Sequence, residues 1–284
     1  MMEYTSLKNG VQMPMEGFGV FQVPDPAQCE QAVSDALEAG YRLIDTAAAY
    51  MNEKAVGRAL RKSGIPREEI FLTTKLWVQD FGYAPAKKAI DVCLEKLETE
   101  YIDLLLLHQP MGDIHGAWRA LEEAYRAGKV RAIGVSNFYP GVLTDFWLSV
   151  DIKPMVNQVE LHPFFQQPAA LENMEKLGVQ PEAWGPFAEG KFEIFTNPVL
   201  QAIADKYHKT TGQVILRWNV QRGVVVIPKS VHKERILENF NIWDFQLDEE
   251  DMKAIAALDL GQSEIVDHSS PAFVEMIHAL KIHD

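Results

Sequence analysis

Short apolar segments alternate along the chain with segments in which apolar residues recur at helical spacing. In residues 84–98, for example, Ile90, Leu94 and Leu97 form one apolar stripe. The alternation predicts eight strand–helix pairs. The predicted strands are residues 18–23, 42–45, 71–75, 102–108, 130–135, 155–161, 179–184 and 224–227, and the first four predicted helices are residues 27–39, 53–63, 84–98 and 116–127.

The apolar runs at 104–107 and 224–227 do not alternate in polarity, which is typical of parallel strands buried on both faces. Repeated β-α units form either a closed barrel or an open doubly wound sheet. The barrel is favoured because the count is eight and no glycine-rich dinucleotide fingerprint follows the first strand; residues 17–22 are only a near miss to GxGxxG. We therefore predict an α/β fold, a (β/α)8 TIM barrel in which residues 1–284 form one domain.

A hairpin is predicted before the barrel. Asn9-Gly10 is a dipeptide that supplies two positive-φ residues for a type I′ turn, with Leu7 before it and Val11 and Met13 after it. The barrel should thus carry an N-terminal β-hairpin.

Composition and charge exclude several functions. A formal net charge of −13 disfavours nucleic-acid binding, and any anionic ligand must be held by a local cluster of cations. No apolar run approaches the roughly 20 residues of a membrane span, and the first residues have neither the basic start nor the apolar region of a signal peptide. Cys29 and Cys93 are far apart and fit no metal or redox motif. We expect a cytoplasmic protein with reduced cysteines and no metal.

Candidate catalytic side chains follow three successive predicted strands. Asp45, Lys75 and His108 each close a strand, and Tyr50 lies in the loop after Asp45. Since barrel enzymes place reactive groups at the carboxyl ends of their strands, the four should surround one mouth. Singly, each has an ordinary structural interpretation, such as a cap, a rim ion pair or a buried histidine.

An ordered series of motifs resembles the aldo-keto reductase family over essentially the whole chain. The motifs are GYRLIDTA at 40–47, YMNE at 50–53, VGRA at 56–59, TTKLW at 73–77, YIDLLLLH at 101–108, GVSNF at 134–138, VNQVE at 156–160 and IPKS at 227–230. The resemblance implies NADPH-dependent reduction of a small-molecule carbonyl substrate by a tetrad of Asp45, Tyr50, Lys75 and His108. We also expect a monomer.

The tetrad agrees with elementary chemistry. A phenol has a pKa near 10, and an adjacent ammonium should lower that pKa and favour proton donation. Lys75 would do this for Tyr50, Asp45 would keep Lys75 charged, and His108 would hydrogen-bond the carbonyl oxygen.

The resemblance also implies a cofactor-binding set at the strand ends. Ser136, Asn137 and Gln158 would bind the nicotinamide carboxamide and Trp184 would stack on the ring, while Lys229, Ser230 and Arg235 would surround the phosphate that distinguishes NADPH from NADH. Gly185 stands where relatives commonly have serine, which leaves open whether a pyrophosphate contact is lost. The remaining predicted cofactor contacts are Val20, Phe21, Asp45, Phe187, Val231, Glu238 and Asn239.

The predicted substrate pocket is aromatic and open, formed by Phe21, Tyr50, Trp77, His108 and Gln109 together with Val20. Residues 262–284 should help to cover it, and broad aldehyde specificity is expected. Two alternatives remain open: a Schiff-base aldolase that uses Lys75, and a catalytically weak NADPH-binding sensor or partner subunit.

Overall fold

The structure is a computed structural model that describes residues 2–284. It begins with the predicted hairpin, in which β1 (Tyr4–Ser6) pairs antiparallel with β2 (Gln12–Pro14). The turn differs from the prediction: Gly10 has φ +86°, but Asn9 is not in the left-handed region. The N–H of Gly10 donates to Leu7 O at 2.8 Å, and the N–H of Leu7 donates to Val11 O at 2.9 Å. A three-residue loop of this kind needs positive φ at its last position alone, so the type I′ prediction is wrong.

Eight parallel strands follow the hairpin in the described part of the chain, and each pairs with its neighbour in chain order. Pairing between Glu16 and Val226 brings the first and last strands together, with the N–H of Gly17 donating to Val226 O at 2.8 Å. This contact closes the sheet and confirms the (β/α)8 barrel. The strands are β3 (Phe18–Gly19), β4 (Leu43–Asp45), β5 (Phe71–Leu76), β6 (Ile102–Leu107), β7 (Val130–Ser136), β8 (Val156–Glu160), β9 (Gln180–Trp184) and β10 (Val225–Val226).

Eleven α-helices lie within the described residues, and most of them surround the barrel. They are α1 (Pro26–Ala39), α2 (Glu53–Ser63), α3 (Tyr83–Lys96), α4 (Ile114–Arg126), α5 (Pro140–Ser149), α6 (Pro168–Leu177), α7 (Pro198–Tyr207), α8 (Thr211–Gln221), α9 (Lys233–Phe240), α10 (Glu249–Ala256) and α11 (Pro271–Ala279). The four helices predicted with bounds are all present, with ends that differ by two residues at most.

Local sequence explains where the helices begin and end. At α1, the Asp25 side chain accepts from the N–H of Gln28, Pro26 occupies the first turn, and Gly40 ends the helix with φ +113°. Thr210 and Gln213 form a capping box at the start of α8. These contacts satisfy backbone groups that a helix end leaves unpaired.

The two central strands β5 and β6 are buried on both faces, as the unbroken apolar run at 104–107 predicts. Every residue of β5 and of β6 is buried, with Leu104 to Leu107 fully inaccessible. The first strand is shorter than predicted, because the chain turns at Gln22, which has φ +59°. None of the described helices is both long enough and apolar enough to cross a membrane.

Candidate active site

A cleft of about 540 Å³ opens at the carboxyl ends of the strands. Its wall contains all the tetrad residues except Lys75, which lies fully buried just beneath. The four residues therefore lie at one mouth of the barrel, as their positions at the strand ends predict.

An ion pair between Lys75 and Asp45 forms the floor of the site. Asp45 pairs with Thr73 across β4 and β5, so Lys75, two residues further along, points into the barrel on the same face. Lys75 Nζ lies 2.6 Å from Asp45 Oδ1 and donates to Thr46 O at 3.0 Å. The side chains are 0% and 2% exposed. Burial alone would lower the pKa of Lys75, but Asp45 and Tyr50 outweigh it and the pKa is raised, so the amine is charged.

Tyr50 is held over this pair by a short 3-10 turn, Ala48–Tyr50, after β4. Lys75 Nζ donates to the Tyr50 hydroxyl at 3.3 Å. Burial raises the pKa of the Tyr50 phenol, and the Lys75 ammonium opposes that rise without reversing it. The expected net lowering is therefore not found in the protein alone, because desolvation of a phenolate costs more than one hydrogen-bonded cation recovers.

His108 follows β6 and faces Tyr50, with the two ring centroids 5.6 Å apart. Trp77 packs edge-on against the other side of the imidazole at 5.3 Å. Burial, with the nearby charge of Lys75, lowers the pKa of His108 well below its usual value. The neutral ring carries one N–H, and its Nδ1 has no hydrogen-bond partner among residues 2–284.

The predicted carboxamide-binding residues lie together on the opposite wall. Ser136 ends β7 and donates to Gln158 O at 2.8 Å, and Asn137 follows it with φ +64°. Asn137 Oδ1 accepts the indole N–H of Trp184 at 2.8 Å, which fixes the indole ring at the end of β9. The wall thus combines amides with a rigid aromatic face.

Gly185 has a conformational reason to be glycine. Its φ is +59°, a backbone region that other residues adopt only with strain. A Cβ at this position would meet no atom within 4 Å, so space does not forbid a side chain there.

A basic end extends the cleft past β10. Lys229 and Arg235 line the cleft, are exposed and form no ion pair with any described residue. Lys233 instead pairs with Asp35 and Glu38, so it belongs to a surface network. Lys229 and Arg235 thus provide the local positive charge that an acidic chain needs to hold an anion.

Some predicted contacts lie outside the cleft wall. Val20 is fully buried and its N–H donates to Asp45 O, which corrects its prediction as a pocket residue. The Ser230 hydroxyl accepts from the N–H of His232, and the Glu238 carboxylate accepts from Thr210. Glu238 and the buried Asn239 lie along α9. Their roles as cofactor contacts, like those of Ser230 and Val231, remain predictions.

The C-terminal segment roofs the cleft, as expected. Trp77 Nε1 donates to Leu280 O at 2.9 Å, and His283 pairs with Asp80 at 2.8 Å. His268 contacts Tyr139 at 3.3 Å. Residues from this segment contribute much of the apolar wall around the predicted substrate site: Ile265, Val266, His268, Phe273, Ile277 and Leu280.

Comparison with known proteins decides the family. A model described as the Aldo/keto reductase family matches residues 17–260, which is most of the chain. The chain belongs to the aldo/keto reductase family. This membership confirms the prediction of an oxidoreductase that acts on carbonyl groups.

Two known proteins and one solved structure illustrate the similarity. The 9,11-endoperoxide prostaglandin H2 reductase of Trypanosoma cruzi (strain CL Brener) is 49% identical over 255 residues, which cover 89% of this chain and 90% of that protein. The glyoxal reductase of Bacillus subtilis (strain 168) is 47% identical over 253 residues, covering 89% and 91%. The structure of a Bombyx mori aldo-keto reductase in complex with NADP matches with a TM-score of 0.88 and 33% identity, over 94% of this chain and 95% of that chain.

Sequence reasoning missed one residue of this aldo/keto reductase site. Glu182 lies inside the barrel on β9, is fully buried, and accepts from Gln158 Nε2 at 2.9 Å. Burial, with the adjacent charge of Asp45, raises its pKa to about 8. A lone carboxylate within a predicted strand gives little signal. Only the strand register, which pairs Gln158 with Glu182, shows that Glu182 belongs to the site.

Proposed function

We propose that this aldo/keto reductase transfers hydride from NADPH to the carbonyl carbon of an aldehyde or ketone, with Tyr50 as the general acid. The observation that carries the proposal is the Tyr50 hydroxyl 3.3 Å from the Lys75 amine, at the mouth of a cleft whose far end is cationic. Carbonyl reduction requires a proton donor, a cation that stabilises the donor's anion, and a cleft for the hydride donor, and these three lie together here.

The residues of the cleft fit NADPH. Lys229 and Arg235 suit a phosphate monoester, since a guanidinium and an ammonium both donate to phosphate oxygens. Trp184 offers a π face that its bond to Asn137 holds in place. Ser136, Asn137 and Gln158 provide the amides and hydroxyl that a carboxamide would meet. When bound, NADPH supplies the hydride.

The protein's own residues would handle the proton and the developing charge. His108 donates its one N–H to the carbonyl oxygen, because its neutral ring keeps a donor without adding charge. As hydride adds to the carbonyl carbon, the oxygen becomes an alkoxide and takes the proton of Tyr50. Lys75 stabilises the resulting phenolate, Asp45 holds Lys75 in place, and solvent returns a proton to Tyr50.

The substrate end of the cleft supports a preference for neutral aldehydes. Its wall contains Phe21, Trp77, Gln109 and apolar residues of the C-terminal segment, and the wall's cations lie at the other end. Burial lowers the pKa of His268 to about 4, so this side chain adds no positive charge near neutral pH. Among residues 2–284, none that lines this end of the cleft would offer a carboxylate-bearing substrate a counter-ion. A keto acid preferred over simple aldehydes by orders of magnitude would contradict this interpretation.

The alternatives find less support. A Schiff-base lysine must lose its proton to attack, whereas Lys75 is charged, fully buried and bonded to Asp45. A sensor that only binds the nucleotide would not need the buried Asp45–Lys75 pair hydrogen-bonded to Tyr50.

We further propose a monomer that acts in the cytoplasm, with residues 1–284 as one domain. Every group of the proposed site comes from one chain, and Cys29 and Cys93 are both buried and free within the described structure. Buried free thiols are typical of reducing compartments. Size-exclusion chromatography with light scattering tests the oligomeric state.

The deciding experiment is Tyr50→Phe, assayed by NADPH oxidation with a panel of aldehydes, keto acids and ketoses. Loss of the general acid should lower kcat/KM by about 10²–10⁴. NADPH affinity should stay within about twofold, since the removed hydroxyl forms one long hydrogen bond. Tyr125→Phe is a matched control that loses a hydroxyl with a 3.4 Å contact to Asn9 at the other end of the barrel. A Tyr50→Phe enzyme with more than a tenth of normal activity would refute the assignment.

A further inference from the structure

One side-chain amide inside the barrel lies between two carboxylates. Gln158 Nε2 is 3.0 Å from Asp45 Oδ2 and 2.9 Å from Glu182 Oε2. All three residues are at most 2% exposed. A primary amide nitrogen has two hydrogens, and the two carboxylates together account for both.

The strand register builds this arrangement. Gln158 on β8 lies directly opposite Glu182 on β9, so their side chains share the inner face. Asp45 is on β4, four strands away around the sheet, and the Gln158 side chain spans the barrel to reach it. The amide is therefore restrained from two directions.

The ion pair with Lys75 also determines which end of the amide faces the cleft. In that pair Asp45 is a carboxylate, and a carboxylate oxygen can only accept hydrogen bonds. The Gln158 atom beside Asp45 must then be the nitrogen. Its other atom, Oε1, accepts no hydrogen bond from residues 2–284, although Gln158 lines the cleft. An acceptor is left available at the ligand-binding surface.

Glu182 can occupy this position without adding a second buried charge. Burial raises its pKa to about 8, so the acid is largely protonated near neutral pH. Its Oε1 has no partner within the described residues, which costs far less for a neutral acid than for an ion. Its Oε2 is then free to accept from Gln158.

We infer that Glu182 is a positioning residue that locks the Gln158 amide with its carbonyl oxygen toward the cleft, where it accepts from the amino group of the nicotinamide carboxamide. The inference rests on the function proposed above. It assigns to Glu182 a role in cofactor selectivity rather than in the barrel's stability alone.

The test compares the binding of NADP+ with that of its 3-acetylpyridine analogue, in which a methyl ketone replaces the carboxamide and the amino donor is lost. Dissociation constants are measured by quenching of tryptophan fluorescence, which needs no turnover. The normal protein should bind the analogue about fivefold more weakly, the effect of one neutral hydrogen bond. In Glu182→Leu the ratio should fall below about twofold, because the single remaining hydrogen bond to Asp45 no longer fixes the direction of the Gln158 carbonyl oxygen.

Three further variants separate positioning from a structural effect. Glu182→Gln keeps an acceptor and should restore most of the discrimination. Thr73→Val removes another fully buried polar group on the barrel's inner face, one that forms no hydrogen bond with Gln158, and should leave the ratio unchanged. In a Gln158→Leu background, adding Glu182→Leu should change the ratio no further, since coupled residues are not additive. Glu182→Met replaces the leucine variant if that variant does not fold.

The outcomes are distinguishable. Unchanged discrimination in Glu182→Leu overturns the inference, as does an additive effect in the Gln158→Leu background. If the normal protein bound neither nucleotide, the proposed function itself would fail.

Discussion

Replacing Lys75 by methionine tests whether the ion pair at the floor of the cleft acts as one unit. The variant leaves the Asp45 carboxylate 2% exposed and without its counter-ion, with the Gln158 amide as a remaining donor. Methionine is similar in length to lysine, so the change is mainly one of charge.

The magnitude follows from the burial of both partners. Removing one member of a buried pair costs about 3–5 kcal/mol. For a chain of 284 residues, that corresponds to a loss of about 5–8 °C in Tm.

The double variant Asp45→Asn with Lys75→Met removes both charges. We expect it to recover at least half of the stability lost in the single variant, because no uncompensated ion remains. Thermal unfolding followed by circular dichroism measures the stability of the single and double variants. If the double variant were as unstable as the sum of the two single variants, the coupling argued here would be refuted.

Three other predictions concern the cofactor end of the cleft and the barrel interior. Lys229→Leu and Arg235→Leu should each raise the Kd of NADPH about tenfold and the Kd of NADH less than twofold, as measured by fluorescence titration. If both nucleotides lost affinity equally, these residues would not bind the phosphate that distinguishes NADPH. Gly185→Ser should fold but lose about 1 kcal/mol in urea unfolding, since φ is +59° and space is open; no loss would contradict this. Glu182 has its pKa raised to about 8, so the folded state holds its proton more tightly than the unfolded state. Stability should fall as pH rises from 4.5 through 8, and Glu182→Gln should flatten that fall.

The sequence was sufficient for the architecture because the signal is repeated. Runs such as Leu104 to Leu107 mark strands buried on both faces, and the amphipathic segments between them can only pack outside a closed sheet. The convergence of Asp45, Tyr50, Lys75 and His108 at one mouth followed from the same reasoning, since strand ends in a barrel converge. What the pattern did not contain was the local geometry of single residues, such as the negative φ of Asn9 in the hairpin turn.

The polar contacts inside the barrel were harder to predict from the sequence. Glu182 is a single charged residue in the sequence Gln-Pro-Glu-Ala-Trp, and nothing adjacent in the chain shows that it faces inward. Gln158, which donates a hydrogen bond to Glu182, and Asp45, whose charge acts on it, are 24 and 137 residues away in the chain. The net pKa of Tyr50 was likewise hidden, because a sequence shows the nearby cation but not the depth of burial that opposes it.

The hydrogen bond from the Trp77 indole to the Leu280 carbonyl places the C-terminal segment over the cleft, whereas the hairpin contacts Arg131 and Gln180 at the amino ends of β7 and β9. An affinity tag or fusion partner attached after Asp284 would therefore crowd the entrance, and one attached before the hairpin would sit far from it. Kinetic constants for different preparations of this enzyme should be compared only when the tag is at the same terminus. Immobilisation through the amino-terminal side would leave the entrance open to bulky substrates.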